Sequence, residues 1–273
     1  MRIVTLMENT PGAEGCAFGH GLSLYIETSG RHILMDAGPD DSFASNAALL
    51  GVDLTSVDVC VLSHGHYDHA GGLLKFAALD PHAPIYLQRA AALDYYADDP
   101  GNLHYIGIDK AIATLPSARL LEGDADIGGG LRLLAGVHGR RLLFAGNSRL
   151  KQLLGGRLIA DAFAHEQALA MDEGGRHFLF SGCSHLGIVN WMDRFHEAFG
   201  CWPDAAVGGF HFMKKASYNV EEEAMIRQTA RELAATGTLF YTGHCTGEKA
   251  FALMAEIMGD SLRALHSGAD FSL

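Results

Sequence analysis

The chain has no long hydrophobic run, and none of its stretches reaches the roughly 18 consecutive apolar residues that a membrane-spanning helix needs. The first residues meet an acid at Glu8 and contain no apolar signal core, so we expect a cytoplasmic protein without a membrane partner. The five cysteines are scattered and lack CxxC spacing. This argues against a disulfide framework and against an all-cysteine zinc site.

Basic residues are also scarce, with 20 Lys and Arg against 32 Asp and Glu, and the formal net charge is −12. This balance argues against a nucleic-acid partner, which usually requires a basic face. A small substrate that carries a phosphate stays compatible with it, because bound metal ions can supply local positive charge. Fifteen histidines are many for this length, and several of them stand where predicted strands end.

Strand and helix patterns alternate along the chain, which predicts an α/β fold and one domain over residues 1–273. Strands are predicted at 2–7, 21–26, 32–35, 57–62, 84–87, 131–134, 141–144, 168–171, 177–181, 205–208, 238–242 and 262–266. Helices are predicted at 70–79, 89–96, 187–198, 219–235 and 247–258. The segment 98–130 indicates loops and a short helix.

Two hairpins resemble each other and suggest an internal repeat. Residues 22–38 align without gaps on residues 167–183, and both segments share Gly-Arg-His at the turn. We expect two similar halves that pack face to face, with their strand ends converging on one site. That arrangement would bring Cys183, His185 and His211 close to the segment 64–69.

A dense cluster of ligand types follows one buried strand. Val59–Leu62 is typical of that strand, and Ser-His-Gly-His-Tyr-Asp-His-Ala-Gly-Gly comes directly after it. His64 and His66 are two residues apart, so extended backbone would point both toward one metal ion. Asp68 and His69 would face a second ion.

Imidazole and carboxylate ligands favour zinc, with iron or manganese as alternatives, over calcium or magnesium. We therefore predict two divalent metal ions as cofactors. The competing interpretation is a helix N-terminus capped by Asp68, with solvated histidines around it. Four metal-competent side chains within six residues favour the metal site.

Each ion needs further ligands from distant strand ends. His185, after the second hairpin, and His244, after the strand at 238–242, are predicted to supply them. Cys183 could be a soft ligand, a nucleophile that contacts substrate, or a small buried residue. His211, in Gly-Gly-Phe-His-Phe, is predicted as an acid/base or substrate-binding residue, against the alternative of a histidine packed between phenylalanines.

Three more polar residues are candidates at the same rim. Asp36 ends the first hairpin and could accept a hydrogen bond from a ligand histidine. His20 begins that hairpin and is predicted to contact substrate. Lys214, followed by Lys215, could meet a phosphate. The alternatives are that Asp36 is an ordinary turn residue, that His20 is an ordinary loop histidine, and that the two lysines lie in a solvated loop.

Asp36 within Ile-Leu-x-Asp-x-Gly, followed by the HxHxDH segment, resembles the metallo-β-lactamase superfamily over nearly the whole chain. The resemblance implies a four-layer αββα sandwich with a dinuclear site between the sheet edges. Further blocks are similar to the dihydropteroate-synthase-like branch of that superfamily. They are Glu8-Asn9, His20–Tyr25, Gly182–Asn190, Gly209–Phe212 and Gly243–Gly247.

The chain departs from the commoner superfamily pattern in one respect. Many members carry Gly-His-Thr-x-Gly and then Thr-Gly-Asp, whose aspartate bridges the metals. The comparable segments here are 165–169 and 181–183, so Cys183 stands where that aspartate would be. His185 is the predicted replacement ligand, with Glu166 as the alternative.

These features predict hydrolysis of a small-molecule ester or phosphoester by metal-activated water. Asp68 would be a ligand and proton acceptor, and His211 the acid/base. The alternative that the resemblance implies is a transferase that joins a dihydropterin methyl group to an arylamine ribosyl phosphate. A di-iron redox protein is a further alternative, although such relatives usually place Glu where this chain has His66 and carry a flavodoxin domain.

Overall fold

Strand pairing in this computed structural model, which describes residues 1–99 and 101–273, produces three sheets. The first contains, in spatial order, β18 (Asp270–Ser272), β1 (Arg2–Met7), β2 (Ser23–Glu27), β3 (His32–Met35), β4 (Val59–Val61), β5 (Ile85–Gln88) and β8 (Ala118–Leu121). The second contains β17 (Leu262–Ala264), β16 (Leu239–Thr242), β15 (Ala205–Val207), β14 (Arg176–Phe180), β13 (Ala168–Glu173), β10 (Leu131–Leu134) and β9 (Ala125–Gly128). The third contains β12 (Arg157–Ala160), β11 (Leu150–Leu154), β6 (Asp94–Asp99) and β7 (Asn102–Tyr105).

Side chains alternate along each strand of a large sheet. One set faces the inner core between the two sheets, and the other set faces an outer core on the opposite side. In β14, Phe178 and Phe180 face the core between the two large sheets, and Leu179 faces the outer core on the other side. In β2, Leu24 faces the inner core and Tyr25 the outer one. Successive strand residues point to opposite faces, so both large sheets bury both of their faces.

Helices cover the two outer faces. They are α1 (Ser42–Leu49), α2 (Tyr67–Ala70), α3 (Leu73–Leu79), α4 (Ile188–Phe199), α5 (Val220–Ala234) and α6 (Glu248–Met258). Phe43 of α1 and Phe76 of α3 pack on the first sheet, and Trp191 of α4 belongs to the core beside the second. This arrangement confirms the predicted αββα sandwich. Within 1–99 and 101–273, no helix combines the length and apolarity needed to cross a membrane.

The two large sheets have the same strand order and directions, which agrees with the predicted repeat. In each, an antiparallel hairpin is followed by three parallel strands: β2–β3 then β4, β5 and β8, and β13–β14 then β15, β16 and β17. One hydrogen bond at the hairpin turn is also repeated in the two halves. The carboxylate of Asp58 accepts the N–H of His32 at 2.7 Å, and that of Asp204 accepts the N–H of His177 at 2.7 Å.

The sequence-based predictions were wrong for several strands, including all four of the third sheet. Of the helix predicted at 89–96, only 89–92 are helical, as a 3-10 turn, and 94–96 belong to β6; 141–144 form no strand; and 98–130 contributes β7, β8 and β9 besides a short 3-10 helix. β11, β12 and β18 were also missed. The hairpins β6–β7 and β11–β12 interrupt the two halves and pair with each other through β6 and β11. Their strands depend on this distant pairing, because local periodicity in them is weak.

Candidate metal centre

The candidate site lies where several strands of the two large sheets end. The segment 63–69 follows β4, the segment 181–185 follows β14, and His244 follows β16. Positive φ angles accompany these turns: 59° at Asp36, 55° at Ser184, 52° at His211 and 49° at His244. Such angles are uncommon for non-glycine residues and concentrate at functional sites.

A first cluster consists of four buried side chains: Asp68, His69, Cys183 and His244. His69 Nε2 lies 3.1 Å from His244 Nε2 and 3.3 Å from Cys183 Sγ. Asp68 Oδ2 lies 3.3 Å from His244 Nε2 and 3.6 Å from His69 Nε2. The N-terminal HxHxDH segment and two distant strand ends thus meet around one point.

Hydrogen bonds on the far side of each ring fix the nitrogens that face this point. His69 Nδ1 donates to Asp36 Oδ2 at 2.6 Å. His244 Nδ1 lies 2.8 Å from Asn9 Oδ1, which also accepts the N–H of Gly21 and is therefore the acceptor. Neutral rings in these tautomers present two Nε2 lone pairs to each other, so a cation is required between them.

Without a metal ion that cation is a proton on His69. Burial alone would lower the pKa of His69, but Asp36 and Asp68 outweigh it and raise the pKa to about 9. Burial would likewise raise the pKa of Asp68, yet His69 and His244 hold it well below its usual range. The cluster therefore contains an ionised carboxylate, that of Asp68, and a place between the rings where a positive charge is stabilised.

A second cluster consists of three histidines whose Nε2 atoms are buried and lack any hydrogen-bond partner: His64, His66 and His185. Their ring centroids are 4.6 to 5.0 Å apart. Burial is the main reason that the pKa values of all three are lowered, that of His66 to about 3. Three neutral imidazoles therefore pack together without a donor for their Nε2 atoms; His64 and His185 group with Cys183 as possible ligands, and His66 groups with Asp161 and His165.

The second cluster is oriented in the same way as the first. Ser63 Oγ donates to Asp36 at 2.7 Å and accepts from His64 Nδ1 at 2.9 Å. Asn147 Oδ1 accepts from His185 Nδ1 at 3.2 Å, while its amide donates to the His185 carbonyl at 2.7 Å. In both rings Nε2 is thus the free lone pair. Metal-binding histidines are typically anchored through the other nitrogen in this manner.

Both clusters fit divalent metal ions with nitrogen, oxygen and sulfur ligands. Zinc bonds of about 2.0–2.3 Å place ligand atoms roughly 3.3–3.6 Å apart in a tetrahedron. The measured separations in the first cluster, 3.1 to 3.6 Å, agree with that spacing. The unpartnered Nε2 atoms of the second cluster each have a free lone pair, and a metal ion would accept these lone pairs.

Cys183 is shared by the two clusters. Its sulfur groups with Asp68, His69 and His244, and separately with His64 and His185. Of the alternatives that the sequence left open for this thiol, its position among the candidate ligand atoms favours the soft ligand over the substrate contact. Burial raises the pKa of the Cys183 thiol. A metal ion would therefore be needed to hold it as thiolate.

Glu166 and His165 contact the candidate ligand segments, and His165 also forms a separate candidate ligand group with His66 and Asp161. The carboxylate of Glu166 accepts the N–H groups of His185 at 2.5 Å and Leu186 at 3.0 Å, and its oxygens are occupied by these bonds. His165 accepts the N–H of Gly65 at Nδ1 and lies 3.0 Å from an Asp161 oxygen at Nε2. Among the described residues, Glu166 belongs to none of the candidate ligand groups, which favours His185 over it as ligand.

A cavity of about 340 Å³ opens above the clusters, and two of the remaining candidate residues line it. His20 lies on its wall, with Nε2 3.3 Å from Asp68 Oδ2. His211 also lines it, with a buried, unpartnered Nδ1 and a ring 4.0 Å from that of His185. Lys214 does not: its ammonium bonds Glu222 at 2.5 Å and borders another cavity.

Several residues that organise the site were missed from the sequence. Asn9, Ser63 and Asn147 orient ligand histidines, and Glu8 accepts the N–H of His244. The pair Glu8-Asn9 was noted only as a similarity to a family. The position of these two polar residues directly after the buried strand β1 could have identified them. This strand ends at the same sheet edge as the strands that precede the candidate ligands.

Residues 17–143 match the family model described as the metallo-beta-lactamase superfamily. This match covers the N-terminal part of the chain, and the fold of the whole chain is that of the superfamily, as its motifs suggested. The matched region contains the HxHxDH segment but ends before His185 and His244, so the distal part of the site is identified by the structure.

Among known proteins, the chain is 28% identical to the 7,8-dihydropterin-6-methyl-4-(beta-D-ribofuranosyl)-aminobenzene-5'-phosphate synthase of Methanocaldococcus jannaschii, over 98% of this chain and 95% of that protein. An uncharacterized protein of the same organism, MJ0448, is 27% identical over 87% of this chain and 88% of its own length. The crystal structure of Tm1679, described as a metal-dependent hydrolase of the beta-lactamase superfamily, is 27% identical, with a TM-score of 0.84 over 100% and 99% of the two chains.

Proposed function

We propose that this protein is a hydrolase that binds two divalent metal ions, zinc foremost, and cleaves a small-molecule ester or phosphoester. The observation that supports this most is the pair of ligand clusters that share Cys183 beneath an open cavity. When bound, the ions would polarise a carbonyl or phosphoryl oxygen and lower the pKa of water toward about 7. His64, His66 and His185 would hold one, and Asp68, His69 and His244 the other.

Protein groups around the cavity supply orientation and proton transfer. Asp68 stays ionised because His69 and His244 hold its pKa well below its usual range, so it can bind a cation and orient a water molecule, although the same low pKa makes it a weak base for the predicted proton transfer. His211 presents a free Nδ1 within the cavity wall and is the group that would donate a proton to the leaving oxygen. His20, 3.3 Å from Asp68, would contact the substrate beside it.

Assays of the zinc-loaded protein with bis(4-nitrophenyl) phosphate and 4-nitrophenyl acetate test this proposal. We expect His211→Ala to lower kcat by about 10²–10⁴-fold without loss of bound metal. His177→Ala serves as the control and should leave kcat unchanged, because this histidine belongs to neither cluster and lines neither cavity. Failure of the metal-loaded protein to turn over any ester or phosphoester would contradict the proposal.

A second candidate is a transferase that joins a dihydropterin methyl group to an arylamine ribosyl phosphate. Two observations favour it: the similarity to the archaeal synthase extends over almost both full lengths, and a second cavity of about 520 Å³ lies beside His244. Met213 lines both cavities, so two organic molecules could approach the site from adjacent spaces.

Incubation with a dihydropterin methyl diphosphate and the arylamine separates the two candidates. Formation of the coupled product, detected by mass spectrometry, would favour the transferase. Turnover of a phosphodiester with no coupled product would exclude it and support hydrolysis.

A further inference from the structure

The cavity above the metal clusters is lined in part by the third sheet and the residue next to it. Its floor is made by candidate ligands, among them His66 and Asp68. Its mouth includes Asp99 of β6, His104 of β7 and Arg149, which directly precedes β11. The inserted hairpins therefore face whatever part of a substrate extends away from the reacting bond.

The charge at this mouth differs from that of the whole molecule. The chain has a net charge of −12, yet Arg149, Lys215 and His104 line the mouth against the single carboxylate of Asp99. Arg149 Nη1 lies 2.5 Å from Asp99 Oδ1, and both side chains are partly exposed. Lys215 is exposed and takes part in none of the ion pairs found among the described residues. The mouth thus has one cation in excess before any metal is bound.

The arginine is held by a rigid element. Leu150, the next residue, is buried in the outer core and pairs with Ala97 of β6. Asp99 lies on that same strand, and Arg149 is joined directly to the first residue of the partner strand β11, so the paired strands support both members of the ion pair. Groups supported by paired strands hold their positions better than groups on free loops.

We propose that Arg149 and Lys215 bind an anionic group of the substrate, a phosphate or a carboxylate, at the end remote from the bond that reacts. The substrate would then have an electrophilic part above the metal clusters and an oxyanion at the mouth. The guanidinium of Arg149 can exchange Asp99 for the two oxygens of such a group, and the ammonium of Lys215 adds a mobile charge. This inference rests on the proposed hydrolase function for the location of the reacting bond.

The sequence suggested that both lysines of this pair could meet a phosphate, and Lys214 was the one predicted to contact substrate. Its ammonium is paired with Glu222 at 2.5 Å and lies beside the other cavity. Lys215, one residue later, lines the cavity above the clusters instead. Adjacent lysines in this loop therefore have different surroundings.

Matched substrates test the proposal on the zinc-loaded protein. They are 4-nitrophenyl acetate and two 4-nitrophenyl esters whose acyl chains end in a carboxylate or in a phosphate. Arg149→Gln and Lys215→Gln should each raise KM for one or both anionic esters on the order of 5- to 10-fold, with kcat and the neutral ester unchanged. The ester that responds more identifies the anion. An equal change for all three esters, or none, would overturn the proposal.

Arg89→Gln is the control, because Arg89 is also a partly exposed arginine paired with an acid, Glu122, but does not line this cavity. It should leave all three KM values unchanged.

A binding measurement keeps this inference separate from the hydrolase proposal. If no ester is turned over, calorimetric titration of the zinc-loaded protein with phenylphosphonate and with benzoate replaces the kinetic assay. The double variant Arg149→Gln, Lys215→Gln should bind at least one probe on the order of 10-fold more weakly than the parent. Equal affinity of parent and variant for both probes would overturn the anion site whatever the reaction is.

Discussion

The two halves of the molecule share a backbone plan but differ in chemistry at equivalent positions. Asp36 and Ser181 both follow the second strand of a hairpin. The N–H of Asp36 donates to Val61 O at 2.9 Å, and the N–H of Ser181 donates to Val207 O at the same distance. Up to this point the two turns are equivalent, so the scaffold alone does not determine the function of either.

The side chains then diverge. Asp36 accepts bonds from His69 and Ser63 and so orients two ligands of the N-terminal half. Within residues 1–99 and 101–273, the Ser181 side chain accepts a single hydrogen bond, from the hydroxyl of Ser184 at 2.9 Å. The N-terminal half thus supplies a complete ligand segment with its own support, whereas the C-terminal half adds single ligands after separate strands. The candidate metal site is thus built from different side chains at equivalent positions of the two sheets.

The largest expected effect is the loss of one metal ion when a ligand of either cluster is removed. His64→Ala should reduce bound zinc from two to one per chain, and so should His69→Ala. His177→Ala, a histidine of the second hairpin that belongs to neither cluster, should leave two. Elemental analysis after dialysis measures this. Two ions retained in both ligand variants would contradict the assignment of ligands.

Asp36 and Ser181 offer a direct comparison of the halves. Asp36→Asn removes the carboxylate that accepts from His69 Nδ1, so we expect zinc affinity to fall about 10- to 100-fold. Ser181→Ala removes one hydroxyl acceptor and should leave the affinity within about 2-fold, since no ligand contacts that oxygen. Competition with a chromogenic chelator measures both. Equal losses of zinc affinity in the two variants would mean that Asp36 and Ser181 contribute equally to holding the ligands, which would contradict this comparison.

Glu166 tests whether the buried carboxylate of the second half has the role of Asp36 or a different one. Glu166→Gln should lower the free energy of unfolding by about 1–3 kcal/mol, because the amide keeps only one acceptor oxygen for the N–H groups of His185 and Leu186. Bound zinc should stay at two per chain. Chemical denaturation and metal analysis of the same sample report both quantities, and loss of zinc at unchanged stability would make Glu166 a ligand.

The smallest effect concerns pH. In the metal-free protein the pKa of His69 is raised from 6.5 to about 9 by Asp36 and Asp68, which outweigh burial. The protonated ring thus stabilises the metal-free fold fully below pH 6.5, and this contribution is lost as pH rises through 9. Metal-free protein should become less stable over that window, and metal-loaded protein should not. A flat profile without metal would contradict the proton on His69.

The sequence predicted the parts of this molecule that are local. The HxHxDH segment could be identified because its four ligand types lie within six residues, and the hairpins because their alternation is regular. His185 and His244 could be predicted from a weaker rule, that ligands follow strands at one sheet edge. The two-sheet frame followed from the repeat.

The parts that depend on distant pairing were not accessible in the same way. Asn9 and Asn147 are ordinary polar residues until the fold brings them to a histidine nitrogen. The strands β6 and β11 lie more than fifty residues apart and define each other by pairing. Lys214 and Lys215 cannot be told apart in a sequence, because their difference arises only from the partner Glu222.

Anomalous diffraction from crystals of the zinc-loaded protein tests the central claim most directly, because it locates each ion relative to its ligands. We expect two peaks, one beside His64, His66 and His185 and one beside Asp68, His69 and His244, with the sulfur of Cys183 between them. A single peak, or a second peak held by other residues, would contradict a site built jointly by the two halves.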